Sequence, residues 1–143
     1  MSCPFCAIAR QDRAAHVVHA DDVICAFLDR APIRPGHTLI VPHVHVATFD
    51  EAPLYLVTAI VAFGQQLATA MKDLYGVDRV AFAFTGGDVP HLHAHVIPMH
   101  DKTDVTSRRY IVEEAVTFQP MPEAPADELA WDAASLVRAL ERT

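Results

Sequence analysis

The segment His91-Leu92-His93-Ala94-His95 alternates imidazole with apolar side chains, and no other feature of the chain restricts its fold as strongly. Side chains two residues apart on a β-strand point to the same face, so the pattern predicts a strand that presents three imidazoles together. Each neutral imidazole in a core needs a donor and an acceptor satisfied, which suits one core histidine but is costly for three. The residues alone leave two interpretations open: core histidines, or a catalytic zinc site with three histidine ligands.

Five short β-rich runs predict the strands of one sheet. They span residues 16–20, 23–29, 37–41, 80–84 and 91–98. Asp21-Asp22 separates the first two runs and is typical of a tight antiparallel hairpin. Turn residues flank the third run, with Pro35-Gly36 before it and Pro42 at its end. Glycines in Thr85-Gly86-Gly87-Asp88 suit a sharp turn, or a close approach of backbone to a ligand, between the last two.

Three helices are predicted around these strands. A short one covers residues 4–11, and a long one begins at Leu56 and ends at Gly76. Its apolar stripe recurs every three or four residues, at Ile60, Phe63, Leu67, Met71 and Leu74. After a proline-rich stretch, a C-terminal amphipathic helix is expected, with Asp127 as its N-cap and Leu129, Leu136 and Leu140 as its stripe.

Length and charge narrow the possible functions. A chain of 143 residues with 52% hydrophobic residues is expected to form one domain with a substantial core. A net charge of −7 argues against a nucleic-acid-binding surface, which needs clustered Lys and Arg. The apolar stretch Leu54 to Phe63 is shorter than a membrane span, and residues 1–13 do not resemble a secretory signal. We therefore expect a cytoplasmic protein that binds neither nucleic acid nor membrane.

The three cysteines do not suggest a disulfide framework. Cys3 and Cys6 form a C-x-x-C unit that opens the chain, with no strand before it. A redox motif would be expected after a strand of a βαβ unit, so metal binding is the better interpretation. Cys25 lies in an apolar run and is predicted to be a small buried hydrophobe.

Five ordered motifs together resemble the bacterial histidine triad (HIT) family. They are CPFCAI, DDVICAFLD, P-x-x-PGH followed by TLIVP, a histidine three residues after Pro42, and HLHAHVIP. The resemblance runs from residue 3 to residue 98. It implies an α+β HIT-like fold with a five-stranded antiparallel sheet, one long and one short helix, and a C-terminal helical extension. We expect a HIT domain over residues 1–100, an extension over 101–143 packed on the same domain, and a homodimer.

The resemblance also implies a reaction. In the family the middle histidine of the triad, here His93, attacks the α-phosphorus of a nucleotide and forms a nucleotidyl-histidine intermediate. Its other nitrogen is held by the backbone carbonyl of the first triad histidine, here His91. His95 and His37 match histidines that contact the phosphate and stabilise its developing charge. The expected activity is that of a hydrolase or transferase for purine nucleotide conjugates, either nucleoside phosphoramidates or dinucleoside polyphosphates.

Nucleotide-binding residues are implied in the same way. Asp29 matches the aspartate that accepts hydrogen bonds from the ribose hydroxyls. The base pocket would be lined by four apolar side chains, each of which could equally belong to the core: Phe5, Ile8, Phe27 and Leu28.

A structural zinc ion is the implied cofactor. Cys3 and Cys6 would supply two ligands, and the family pattern assigns the other two to His45 and His91, with His43 as the rival of His45. Such a four-ligand site is closed, so it would tie the N-terminus to the triad segment instead of activating water.

One position departs from the family pattern. Gly87 stands where members usually carry Gln, in a loop that is also shorter, and Asp88 follows where a hydroxyl residue is usual. A carboxylate near phosphate is repulsive unless it is paired or protonated. The missing Gln favours one alternative, a nucleotide-binding regulatory module with little turnover. A separate alternative also stays open, a zinc hydrolase in which the triad holds the metal, although it leaves the C-x-x-C unit and His45 unexplained.

Overall fold

The computed structural model describes residues 3–87, 89–105 and 121–142. The elements follow one another as helix α1 (Pro4–Ala9), strands β1 (Val17–Ala20), β2 (Ile24–Leu28) and β3 (Thr38–Pro42), helix α2 (Leu54–Tyr75), strands β4 (Arg79–Phe84) and β5 (Ala94–Met99), and helix α3 (Ala126–Glu141). The strands form one antiparallel sheet in the order β1-β2-β3-β5-β4. The predicted fold class is confirmed: a five-stranded antiparallel sheet with one short and one long helix and a C-terminal helix.

Alternating side chains divide the sheet into two faces. Ile24, Ala26 and Ile40 pack beneath α2 and α3 in the larger core. Their neighbours Cys25 and Val41 face the opposite side and pack with α1 in a smaller apolar cluster. Cys25 is 2% exposed, so its prediction as a buried hydrophobe is confirmed.

Helix α2 covers the larger core with the predicted stripe. Ile60, Phe63, Leu67 and Met71 are buried, and Leu74 packs beside them. Gly76 ends the helix as expected, because its φ of +63° places it in the left-handed region that glycine adopts without strain. Among the described residues, α2 alone is long and apolar enough to cross a membrane by length and composition. Its buried stripe, however, is that of a core helix.

Several predicted boundaries were wrong by a few residues. Helix α1 ends at Ala9 and not at residue 11, since Gln11 adopts a φ of +65°. Helix α2 begins at Leu54, directly after Pro53, and not at Leu56. Asp127 was expected to cap α3, but the helix begins at Ala126 after Pro125, without a side-chain cap, and Asp127 lies in its first turn. The stripe of α3 is as predicted, with Leu129 and Leu136 buried and Leu140 packed against the core.

Helix α3 packs on α2 and also contacts β1 and β2. Ahead of it, the backbone N–H of Ala124 donates to the carbonyl oxygen of Arg30 over 2.9 Å. The segment ahead of α3 therefore lies next to the loop that follows β2.

Candidate functional site

The five-residue histidine segment is only partly a strand. Strand β5 begins at Ala94, so the predicted strand over 91–98 was too long at its start. The reason is local pairing: β3 pairs with β5 only as far as Ala94, while the N–H of Leu92 donates to the carbonyl oxygen of Val46 in the loop after β3. The side chains nevertheless alternate, because Leu92 and Ala94 enter the core beneath α2.

The three imidazoles lie on the other side of that segment, near α1. The ring of Phe5 lies 6.0 Å from the ring of His91 and 5.1 Å from that of His93, between centroids. The rings of His93 and His95 are 5.0 Å apart. His91 and His93 are buried, and His95 is half-buried.

His93 is held by the backbone two residues before it. Its Nδ1 lies 2.7 Å from the carbonyl oxygen of His91. A carbonyl oxygen only accepts, so Nδ1 carries the hydrogen and donates it. The neutral ring therefore keeps its lone pair on Nε2, which is the form of imidazole that can attack an electrophile.

A chain of hydrogen bonds assigns the hydrogens of His37 and His95. The backbone N–H of Ile33 donates to Nδ1 of His37 over 3.1 Å, so the ring hydrogen of His37 is on Nε2. That Nε2 donates to Nδ1 of His95 over 2.9 Å. His95 consequently carries its hydrogen on Nε2, where it is available as a donor.

Burial keeps this histidine pair neutral. His37 is 3% exposed, and burial lowers its pKa to about 4 against the opposing attraction of Asp29, with the nearby His95 lowering it further. Burial also lowers the pKa of His95, and proximity to His93 acts in the same direction. At neutral pH both rings are uncharged, as the hydrogen-bond chain requires.

Asp29 follows β2 directly and lies beside the pair. Its Oδ1 accepts the N–H of Ala31 over 2.9 Å, and its Oδ2 lies 3.7 Å from Nε2 of His37. The carboxylate also lines a cavity of about 590 Å³. The four apolar residues predicted for the base pocket line the same cavity: Phe5, Ile8, Phe27 and Leu28.

The sequence did not single out every residue of this cavity. Arg13, His16 and Arg30 line it as well. The chain between α1 and β1 forms part of the cavity wall. Its only signal in the sequence is its proximity to the predicted pocket residues of α1.

The two cysteines and two of the histidines form a compact cluster. Sγ of Cys3 and Sγ of Cys6 lie 3.3 Å and 3.4 Å from Nδ1 of His91, and Cys6 lies 3.3 Å from Nδ1 of His45. The two Nδ1 atoms are 3.2 Å apart. Nε2 of His91 donates to the carbonyl oxygen of Pro42 over 3.0 Å, which leaves its Nδ1 unprotonated toward the thiols. Two sulfur and two nitrogen atoms at this spacing fit a tetrahedral zinc site.

His43 does not join that cluster. Its Nε2 donates to the carbonyl oxygen of Asp21 over 2.7 Å, in the turn between β1 and β2. Of the two histidines that follow Pro42, the structure therefore brings His45 to the cysteines.

The catalytic zinc held by three triad histidines finds no support in this geometry. Among the described residues, the candidate metal-binding clusters are the Cys3, Cys6, His45 and His91 group and a second one formed by Asp29, His37 and His95. Neither contains all three triad histidines. In the second cluster the hydrogen on Nε2 of His37 occupies the position that a metal would need.

The loop between β4 and β5 is open at Gly87. A Cβ built on Gly87 meets no heavy atom within 4 Å, and its φ lies outside the left-handed region. Among the described residues, nothing therefore blocks a Cβ at this position. Asp88, predicted to lie near the substrate phosphate, falls outside the described residues.

Comparison with known proteins is consistent with this arrangement. The family model described as HIT domain matches residues 10–102. A HIT-like protein of Methanocaldococcus jannaschii is 33% identical over 103 residues, covering 69% of this chain and 80% of that protein. Adenosine 5'-monophosphoramidase HNT1 of Saccharomyces cerevisiae is 32% identical, covering 71% and 65%. A zinc-bound histidine triad family protein from Mycobacterium smegmatis superposes with a TM-score of 0.77 at 27% identity, covering 99% and 95%.

Proposed function

Because this chain belongs to the HIT family, we propose that it hydrolyses or transfers purine nucleotide conjugates through attack of His93 on the α-phosphate. The observation that carries the proposal is the hydrogen bond from His93 Nδ1 to the carbonyl oxygen of His91, which leaves Nε2 as the nucleophile. The similarity to a yeast adenosine 5'-monophosphoramidase supports nucleoside phosphoramidates as the first substrates to test, ahead of dinucleoside polyphosphates.

In the first step, the lone pair of His93 Nε2 forms a bond to the α-phosphorus. For a phosphoramidate the bond from phosphorus to the amine nitrogen breaks, and the amine leaves with the electron pair and takes up a proton from solvent. The ring becomes a nucleotidyl-imidazolium, whose positive charge is stabilised by the Nδ1–H donated to His91. His95 contributes its Nε2–H to the phosphoryl oxygens, and His37 keeps His95 in that tautomer.

In the second step, water attacks the same phosphorus and the bond to His93 Nε2 breaks. The products are a nucleoside monophosphate and the free imidazole, with the proton of water released. Another acceptor in place of water makes the same reaction a transfer, so hydrolase and transferase share one intermediate.

Nucleotide binding is assigned to the cavity beside Asp29. The carboxylate Oδ2 is an acceptor suited to the ribose hydroxyls, while Oδ1 is held by the N–H of Ala31. Phe5 and Phe27 pack edge to face with centroids 5.6 Å apart and form an apolar wall for the purine, together with Ile8 and Leu28. Asp88 is assigned to the phosphate end from the sequence alone.

We assign a structural zinc ion to Cys3, Cys6, His45 and His91. Zinc there would supply a crosslink between α1, the loop after β3 and the triad segment, without an open position for water. The zinc-bound relative from Mycobacterium smegmatis supports this assignment.

The remaining assignments concern the whole chain. We propose a HIT domain over residues 1–100 with the extension 101–143 packed on it, a homodimer, and a cytoplasmic location. Contacts of α3 with α2 and β1 support the packing, and cysteines that form no disulfide bond suit a reducing compartment. The net charge of −7 disfavours nucleic acid as a partner, and the buried stripe of α2 disfavours insertion into a membrane.

A substrate screen tests the function. AMP and GMP phosphoramidates, dinucleoside polyphosphates and nucleotide sugars would be incubated with wild-type protein and with His93→Ala, and free nucleotide measured. We expect release from at least one conjugate by wild type alone. Binding of nucleotide without release would instead favour the regulatory module, which Gly87 makes the second candidate because the family Gln is missing.

A further inference from the structure

The C-terminal helix α3 is linked to the backbone before His37 through a tyrosine of α2. Tyr75, the last residue of α2, donates its hydroxyl to Oδ1 of Asp132 on α3 over 3.2 Å. Asp132 is 7% exposed, so this bond lies inside the contact between the two helices. Burial raises the pKa of the Tyr75 hydroxyl, and the charge of Asp132 raises it further. The Tyr75 hydroxyl therefore keeps its hydrogen, and stays a donor, at neutral pH.

The ring of Tyr75 packs against the backbone at Gly36. A Cβ at position 36 would lie 2.5 Å from the ring atom Cε2 and 2.5 Å from the hydroxyl oxygen. Gly36 also has a φ of +91°, a conformation that other residues rarely adopt. Both observations require glycine here, and both leave the Tyr75 ring in direct contact with the peptide that precedes His37.

The backbone around Gly36 determines where the His37 ring lies. The N–H of His37 donates to the carbonyl oxygen of Arg34 over 3.0 Å, and its own carbonyl accepts the N–H of Asp29 over 2.8 Å. The ring contacts Ile33 N–H on one side and His95 on the other. A shift of the chain at Gly36 therefore alters the hydrogen bond from His37 to His95.

We propose that Tyr75 and Asp132 are positioning residues that hold Gly36 against the sheet and so keep His37 donating to His95. The role in catalysis rests on the function proposed above, whereas the effect on the histidine tautomers does not. The C-terminal helix is then part of the support of the site.

Five variants test this role. Tyr75→Phe keeps the ring but removes the hydroxyl that ties it to Asp132, Asp132→Ala removes the acceptor, and Asp132→Asn keeps an acceptor oxygen. Tyr55→Phe on α2 and Asp127→Asn on α3 are matched controls, since both residues are exposed.

The first readout separates binding from chemistry. Displacement of a positioned group by about 1 Å can cost up to about a hundredfold in rate. We expect Tyr75→Phe and Asp132→Ala to slow nucleotide transfer to His93 by about tenfold in single-turnover experiments, with the Kd for AMP changed less than about twofold. Asp132→Asn and the two controls should retain the wild-type rate within about twofold.

The second readout needs no substrate. Ring ¹⁵N NMR spectra report which nitrogen of each histidine carries the hydrogen. We expect the His37 Nε2 and His95 Nδ1 signals to shift in Tyr75→Phe and Asp132→Ala and to stay unchanged in Tyr55→Phe. A lower melting temperature with unchanged histidine signals and rates would mean that Tyr75 and Asp132 only stabilise the fold, and would overturn the proposal. Shifted signals in a protein whose wild type transfers no nucleotide would support the positioning role while refuting the proposed function.

Discussion

His93 donates from Nδ1 to the backbone carbonyl oxygen of His91 over 2.7 Å, and the side chain of the same His91 lies between the two cysteines and His45. One residue thus serves two sites, its backbone orienting the proposed nucleophile and its imidazole joining the proposed zinc cluster. Two bonds from the segment preceding β5 hold this arrangement in place: His91 Nε2 donates to the carbonyl oxygen of Pro42 at the end of β3, and the Leu92 N–H donates to that of Val46 in the loop after β3.

Removal of the proposed nucleophile should abolish the reaction but not binding. His93→Ala should lower turnover by several orders of magnitude and leave AMP affinity within severalfold, because Asp29 and the apolar cavity walls stay in place. Single-turnover assays and calorimetry measure the two quantities. Retention of more than about a tenth of the activity, equivalent to about 1.4 kcal/mol of barrier, would exclude covalent catalysis by His93. His19→Ala is the control, since that ring stacks on Phe63 away from the triad.

The zinc assignment predicts about one metal ion per chain, measurable by elemental analysis of the purified protein. Cys3→Ser and His45→Ala should lose metal and lower the melting temperature together. His43→Ala is the matched control, because His43 bonds to Asp21 and not to the cysteines. Full zinc occupancy in a Cys3→Ser/Cys6→Ser double variant would refute this site. His93→Ala should keep its zinc, which also distinguishes the structural site from a metal held by the triad.

The histidine pair predicts how stability depends on pH. The pKa of His37 is lowered to about 4 by burial, so between pH 6.5 and about 4 the unfolded chain binds more protons than the folded one. Stability from this residue is present above pH 6.5 and is lost as the pH falls toward 4, by up to about 3 kcal/mol. Urea titrations from pH 4 to 8 should show a smaller loss in His37→Gln than in wild type. Equal losses of stability in the two proteins would contradict the assignment of this pH dependence to His37.

Gly87, in the loop between β4 and β5, predicts slow hydrolysis of the nucleotidyl-histidine intermediate. Loss of one donor to a developing oxyanion costs about a hundredfold to a thousandfold in rate. We expect hydrolysis of the intermediate to suffer more than attack by His93, because His37 and His95 still assist the attack. Rapid mixing with a nucleoside phosphoramidate should then show a burst of leaving group, a slower steady phase, and protein mass increased by one nucleotidyl group.

A substitution at this glycine tests the explanation directly. Gly87→Gln should raise the rate of the slow phase by about tenfold or more, since a Cβ at position 87 meets no described atom within 4 Å and the amide restores a donor. Ala in the same place adds a Cβ without a donor and serves as the control. A burst-free wild type that stays unmodified would show that another residue, such as Asp88 or one from the C-terminal segment, has taken over the function of Gln.

Local patterns in the sequence predicted the secondary-structure elements, and the motif resemblance named the residues of the cysteine–histidine cluster. Alternation in the triad segment, the stripe from Ile60 to Leu74 and the turn residues are local patterns, because backbone geometry repeats over two or 3.6 residues. The motif resemblance brought together Cys3 and Cys6 with His45 and His91, which the structure groups within 4.8 Å of one another. The choice between core histidines and a three-histidine metal site stayed open at that stage, since spacing does not show which nitrogen faces which partner.

Which nitrogen faces which partner depends on how the chain packs. The start of β5 at Ala94 depends on pairing with β3, and the tautomers of His37 and His95 depend on the N–H of Ile33, which the chain brings beside the His37 ring by folding back over four residues. The contact of Tyr75 with Gly36 and its bond to Asp132 join positions 39 and 57 residues apart in the chain. No local periodicity encodes such contacts, because they arise when helices pack on a sheet and the side chains between them must satisfy their hydrogen bonds.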